Sequence, residues 1–391
     1  RLHQGDEKSL FGTPPAGALA GAMLSRGTKT RDRQAFDDEI DKLRAKIAFG
    51  GGSTNTSAGG ETVRANLAPA LRLAVEALRT PAFPAAEFDK LKRERVTALE
   101  ASRTEPTAIA QRALGRHDNP FPKGDVRYSA TLDEDLAGIA RVSLADVAGF
   151  HGRFAGASHG EVAIVGDFDP AEVRPLIEVL FGSWKAEAPY ARVPNPYRPT
   201  TRAEMRFETP DKPNAIVIGT LNAQVRDLDP DYPALAVAER ILGGGPDARI
   251  PTRLREKEGL SYSVGTYLQP GQIDDLGSLG VYAIFPPQAL AKVRTALDEE
   301  LARALDAGFT SDEVAAAKRA LLEERRTNRA QDGALVAALV GQAYLGRTFA
   351  ESAKLDAAIE AVDVAAANAA LRKYLQRDRI AWAFAGDFAK P

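Results

Sequence analysis

Cysteine is absent from the 391 residues, which excludes disulfides and thiolate chemistry and leaves periplasm and cytoplasm both open. Of the two, the bacterial periplasm is the favoured expectation. Histidine is scarce. His3, His117, His151 and His159 are all there are, and no two stand at the i,i+4 spacing that brings two imidazoles onto one helical face. A metal site built from this chain alone is therefore not expected. No run of 18 or more apolar residues occurs, so no segment is expected to span a bilayer. Charge is nearly balanced, with 51 Lys and Arg against 53 Asp and Glu, which gives no basic field for phosphate backbones and makes nucleic acid an unexpected partner. Arg1 to Leu10 are too polar for a signal peptide, and an Arg start in place of Met leads us to expect a removed leader or a preceding domain. Neither Gly50-Gly51-Gly52 nor Gly243-Gly244-Gly245 is followed by Gly-Lys-Ser/Thr, and no Gly-x-Ser-x-Gly elbow exists. P-loop and serine-hydrolase chemistry thus find no motif, and both glycine clusters read first as helix stops and loops.

What is present is enough hydrophobic content, 44%, for more than one core, in a chain long enough for two domains. Four prolines between Ala186 and Pro199 mark a semi-rigid linker. The two sides of it repeat. Glu161 to Phe168 and Ile380 to Phe388 both read as a buried strand ending in Gly-Asp-Phe, with Gly166 and Gly386 separated by 220 residues. A second echo, Ala82-Phe83-Pro84 before a basic helix and Gly308-Phe309-Thr310 before another, puts Phe83 and Phe309 226 residues apart. One domain duplicated is the expected organisation: residues 1–188 as a first repeat, 189–200 as linker and 201–391 as a second. Helical stripes are read from Phe36, Ile40, Leu43 and Ile47, from Leu71, Val75 and Leu78, and from Phe88, Leu91, Arg95 and Leu99. Pro233 to Leu242, Ala289 to Leu305 and Ser311 to Arg329 give further helices, and Ala215 to Gly219 and Leu279 to Ile284 give short strands. The expected class is α+β, a sheet covered by helices on one face, used twice.

The most informative stretch is Thr252-Arg253-Leu254-Arg255-Glu256-Lys257-Glu258-Gly259-Leu260-Ser261-Tyr262-Ser263. Arg255 falls in the last turns of a helix, Gly259 breaks it, and Leu260 to Tyr267 continue as a strand, so the fold-back can aim a guanidinium and a phenol at one point. Ser261 and Ser263 have no histidine nearby and read as strand serines. Asp167 and Asp387 read as turn formers, and the histidines as surface or packing residues.

This stretch resembles the Arg/Tyr motif in the C-terminal half of the insulinase-type (pitrilysin) zinc metallopeptidases. That family's His-x-x-Glu-His zinc motif precedes a Met-Leu-x-x-Gly-Thr turn, which here is Met23 to Thr28. The five residues before it are Ala18-Leu19-Ala20-Gly21-Ala22, so both imidazole ligands and the base are missing. Glu100 lies where the third ligand belongs, yet one carboxylate makes no site. The resemblance implies a fold of tandem sheet-plus-helices domains of the processing-peptidase type. It also implies a noncatalytic half or subunit, without metal of its own, that pairs with a zinc-bearing half to hydrolyse peptides or unfolded polypeptide. Arg255 and Tyr262 would then bind substrate and stabilise the transition state, and Gly243, Gly244 and Gly245 would stand in the loop that contacts substrate. A structural subunit derived from the same family is the alternative.

Overall fold

The computed structural model describes residues 1–389. Its elements run β1 (Leu2–His3), α1 (Pro14–Met23), α2 (Arg33–Lys42), β2 (Lys46–Gly51), β3 (Asn55–Glu61), α3 (Leu67–Arg79), α4 (Ala85–Ser102), α5 (Pro106–Arg116), α6 (Leu132–Arg141), α7 (Leu144–Phe154) and α8 (Pro170–Phe181). They continue with β4 (Ala203–Glu208), β5 (Ala215–Gln224), α9 (Tyr232–Leu242), the short α10 (Arg249–Pro251), β6 (Ser263–Gln269), β7 (Leu276–Phe285), α11 (Leu290–Asp306), α12 (Ser311–Arg329), α13 (Asp332–Leu345), α14 (Phe349–Ala361), α15 (Val364–Tyr374) and β8 (Ala381–Gly386). The chain is a mixed helix-and-sheet protein of two compact units. One holds Arg1–Glu100, Pro120–Val193 and Leu335–Tyr344; the other holds Ala101–Asn119, Pro194–Ala334 and the residues from Leu345 on. The division falls inside the proline-rich stretch, but α5 counts with the second unit and most of α13 with the first.

In the first unit β1, β3 and β2 form a three-stranded sheet. Helix α1 starts at paired prolines that fit the first turn, where no backbone donor is needed. It buries Leu19, Ala20 and Met23 among Phe88 and Leu91 of α4 and Phe150 and Phe154 of α7. Phe36 of α2 packs with Leu73 and Ala77 of α3. Ile47 does not continue the α2 stripe as expected; it lies in β2, because Arg44 takes a left-handed φ of 47° that ends the helix. Glu161 to Phe168 is likewise not a strand. Its first residue donates to Arg1 O and Gly160 bridges Leu2, but beyond these no neighbouring strand among the described residues pairs with it, and Val162 is 48% exposed. Apolar content alone does not make a strand without a ladder partner.

The second unit's sheet has the order β4-β8-β5-β7-β6, with β4 parallel to β8 and the other pairs antiparallel. One face packs against α9, α11, α12 and α15 through Val217, Leu235, Val281, Leu297, Val314 and Leu371. The other face is not left open as expected, since Ala110 of α5 covers Ile216, Ile218, Ala383 and Ala385. The unbroken apolar run at the start of β5 explains this: strands buried on both faces lose the alternation that marks a half-solvated sheet. Helix α12 begins at the expected Ser311, with Thr310 and Glu313 closing a capping box.

Candidate functional site

The site is assembled around the end of α9 and the start of β6. Helix α9 stops at Gly243, where the Thr266 backbone leaves no room for a Cβ, whereas the neighbours of Gly244 and Gly245 are the ends of long side chains that can move aside. A Cβ at Gly243 would meet Thr266 at 2.6 Å, one at Gly244 the Glu239 carboxylate at 2.5 Å, and one at Gly245 the Arg240 guanidinium at 2.6 Å. Thr266 N donates to Gly243 O, and Thr266 Oγ1 donates to the Glu239 carboxylate at 2.7 Å. Burial pushes the Glu239 carboxyl above its ordinary value despite that bond. The folded chain thus holds this proton more tightly than the unfolded chain does. The stability this contributes is full below the unfolded value near 4.5 and is lost as pH rises through the higher folded value. We expect Glu239→Gln to be more stable than the parent chain at pH 8 and to lose that advantage on going to pH 4. Melting curves across that range test it, and an advantage independent of pH would show that the carboxyl ionises freely.

After the glycines, α10 passes into a π-helical turn over Thr252–Lys257, a rarity that recurs at functional sites. Ion pairs fasten it. Arg249 bonds the Glu313 carboxylate at 2.6 and 2.7 Å and Gly308 O at 2.9 Å. Burial works against Glu313 ionisation, but Arg249 and the Thr310 amide carry its pKa down to about 2. Arg253 reaches Glu258 at 2.7 Å, Glu299, and Glu300 at 3.3 Å. These two arginines fasten the turn that carries Arg255 and were passed over by motif reading; the alternating charges from Thr252 to Glu258 are the signal that could have found Arg253. Glu300 is 3% exposed and has only Arg253 and Arg303 as ion-pair partners among the described residues. We expect Arg253→Ala to lower unfolding free energy by about 2 kcal/mol, since a buried carboxylate loses one of two cations. Denaturant titration checks this, and a loss below about 0.5 kcal/mol would make the cluster an ordinary surface network.

Arg255 lies within the π-helical turn, half-exposed, with Nη2 donating to Pro246 O at 3.1 Å and Glu256 at 3.0 Å. It therefore lies over the glycine loop, and its remaining donors, Nε and Nη1, have no hydrogen-bond partner among the described residues. Gly259 takes the left-handed φ of 61° that ends the helix. Leu254 O then accepts from both Leu260 N and Ser261 N, while Leu254 and Leu260 are buried. Ser261 is buried too, its hydroxyl bonding Ser263 O and Ile284 O, which delays the start of β6 to Ser263. On this rigid pedestal Tyr262 projects outward, 93% exposed. No hydrogen bond joins Arg255 to Tyr262.

The histidines do not gather into one cluster, although His3 and His159 are neighbours, with His3 N donating to His159 O at 2.8 Å and both rings against Tyr190. His3 pairs with Glu161, His117 with Thr201 O and Asp118, His151 with Leu78 O, and His159 packs on the Tyr190 ring. Asp387 accepts from Asp211 N in a turn, and Asp167 pairs with Arg64. Among the described residues no group of three or more His, Cys, Asp or Glu side chains could hold a metal ion. On α1, Ala18 is exposed while Gly21 is pressed against β2, where an added Cβ would lie 2.8 Å from Gly51 Cα. These residues do not fit a zinc ion.

Residues 141–321 match the family model described as the peptidase M16 inactive domain. An uncharacterized zinc protease of Streptomyces coelicolor is 32% identical over 162 residues, 40% of this chain and 35% of that protein. Another, from Mycobacterium leprae, is 27% identical over 238 residues, 57% of this chain and 52% of that protein. The chain thus spans between a third and about half of the curated relatives it matches. Among solved structures, a peptidase M16 inactive domain from Pseudomonas fluorescens aligns with a TM-score of 0.84 at 22% identity, covering 98% of this chain and 90% of that one. A Helicobacter pylori protease gives 0.82 at 16% identity over 97% and 92%, and the periplasmic protease PqqL of Escherichia coli gives 0.73 at 15% over 96% and 42%. At these identities the structures speak for the fold alone.

Proposed function

From the premise that this chain belongs to the M16 peptidases through the inactive domain it carries, we propose that it is the noncatalytic half of a zinc peptidase, completing a site whose metal lies in a partner half. The observation that carries this reading is Tyr262, an aromatic side chain 93% exposed on a pedestal of buried Leu254, Leu260 and Ser261. A large ring held in water by rigid backbone gains nothing for the fold and is placed to meet something else. The metal and the carboxylate base are the partner's, and they polarise the scissile carbonyl and activate water. In this chain Tyr262 Oη donates to the oxygen on which charge develops, and the free Nε and Nη1 of Arg255 hold a substrate carbonyl or that same charge. The Gly243–Gly245 loop, fixed by Arg255 through Pro246 O, lines the approach. Strand β6 follows Tyr262 directly and is a sheet edge; its Thr266 amide is taken by Gly243 O, so an extended peptide would pair with the edge between Tyr262 and that contact.

We also read the chain as one fold used twice. The sequence α1, β2, β3, α3, α4 in the first half parallels α9, β6, β7, α11, α12 in the second, and Gly21 and Glu239 occupy matching positions. On this reading the Pro-rich stretch joins two repeats. The compartment we assign is the periplasm, that of the relative named as a periplasmic protease. Among the described residues, no helix is long and apolar enough to cross a membrane.

The test is reconstitution. Mixed with a partner subunit bearing His-x-x-Glu-His, the chain should restore hydrolysis of a quenched fluorescent peptide, with neither component active alone. Full activity of the partner without this chain would overturn the reading.

A further inference from the structure

A second concavity, of about 380 Å³, opens in the second unit between α11 and the strands β4 and β8. That volume falls within the range of about 300–1,000 Å³ typical of small-molecule sites. Its walls are aromatic and aliphatic. Trp382 and Phe384 stack with centroids 6.2 Å apart, and the buried Leu297 and Ile380 line the same space. The indole is held in place, because a Cβ at Gly219 would sit 2.7 Å from it; the ring occupies the space that a glycine in β5 leaves free. Around this apolar interior stand six charges. Arg294 and Glu204 neutralise one another through paired bonds of 2.6 and 2.7 Å. The other four, Arg202, Arg377, Asp298 and Asp378, also line the cavity and have no ion-pair partner among the described residues.

Two cations and two anions without partners around an aromatic wall are complementary to a molecule that is itself apolar in the middle and charged with both signs at its ends. A guanidinium binds a carboxylate through two parallel donors, and an aspartate takes an ammonium. We propose that this cavity binds a zwitterion with an apolar or aromatic side chain, either a free amino acid or a short peptide, its carboxylate on Arg202 or Arg377 and its ammonium on Asp298 or Asp378. The inference does not depend on the peptidase reading, since none of these residues belongs to the Arg255–Tyr262 site.

The chain has only two tryptophans, Trp184 and Trp382, so Trp184→Phe leaves the indole of the cavity as its sole tryptophan reporter. With that variant, titration by the dipeptide Leu-Phe and by phenylalanine should give a saturable change in emission for at least one of them. The pair of results tells which source fits. Uncharged N-acetyl-phenylalaninamide should bind about tenfold more weakly or not at all, and Arg377→Ala or Arg202→Ala should cost a similar factor. Calorimetry on the unaltered chain repeats the measurement without the tryptophan substitution. No saturable binding of either zwitterion by calorimetry, or equal binding of the blocked amide, would overturn the proposal.

Discussion

Replacing Tyr262 with phenylalanine is expected to cut peptide hydrolysis by the assembled enzyme roughly 10²-fold or more, the usual effect of deleting one oxyanion donor. Folding and assembly should be unaffected. The hydroxyl makes no hydrogen bond among the described residues, and the ring is almost wholly in solvent, so its removal takes nothing from the core. Arg255→Ala should also lower activity, with part of the loss in KM if the guanidinium holds the ground state as well as the transition state. It carries a structural cost that Tyr262→Phe does not, because Nη2 ties Pro246 O to the π-helical turn. The two variants are therefore informative together. A fall in kcat for Tyr262→Phe with an unchanged melting temperature locates the effect in the reaction. A normal kcat for both variants would leave the chain a structural subunit and sink the catalytic reading.

How much of this was legible in the sequence follows from which residues carry local signals. Helix α12 begins where its Thr-x-x-Glu box says it should, α9 ends at its glycines, and Gly259 breaks the helix before Leu260, because each of these is decided by a few adjacent residues. Partners distant in sequence were not legible. The cover of the second sheet by α5 comes from residues more than a hundred positions upstream, and no pattern within α5 specifies it. The segment after Glu161 fails as a strand for the same reason: its composition is right, but what it pairs with is decided elsewhere. At the candidate site, Arg255, Tyr262 and the glycines stand out through a local motif, whereas the ion pairs of Arg249 and Arg253 do not, because their glutamates lie on α12 and α11. The π-helical turn was missed as well, since nothing in Thr252 to Lys257 distinguishes it from an ordinary helix end.

The largest stability effect should come from Gly21. In the interior of an ordinary helix, glycine to alanine is worth up to about 1 kcal/mol of added stability. Here the sign should reverse. Gly21 faces the backbone of β2, and an added Cβ would lie 2.8 Å from Gly51 Cα and 3.0 Å from Gly51 N, with no flexible side chain that could give way. Gly17 has the same relation to Ser53 in the turn after β2, 2.9 Å from its Cα, so α1 rests on the strand and its turn along a stripe of two glycines and cannot tilt away at one without straining the other. We expect Gly21→Ala to cost about 1–3 kcal/mol, as overpacking does. Gly21→Glu, which adds a carboxylate to the same contact, should cost roughly 3 kcal/mol or more. This bears on the zinc motif that the family resemblance implies for α1 and that Ala18, Gly21 and Ala22 do not supply. Were the small residues of α1 the product of drift, restoring Ala18→His, Gly21→Glu and Ala22→His together would rebuild two ligands and a base on an otherwise permissive helix. If instead the helix has settled onto β2, the triple variant should be destabilised and should hold no stoichiometric zinc after dialysis. Metal analysis and thermal unfolding of the triple variant beside Gly21→Ala separate the two, and a stable triple variant with one tightly bound zinc would make drift the better account.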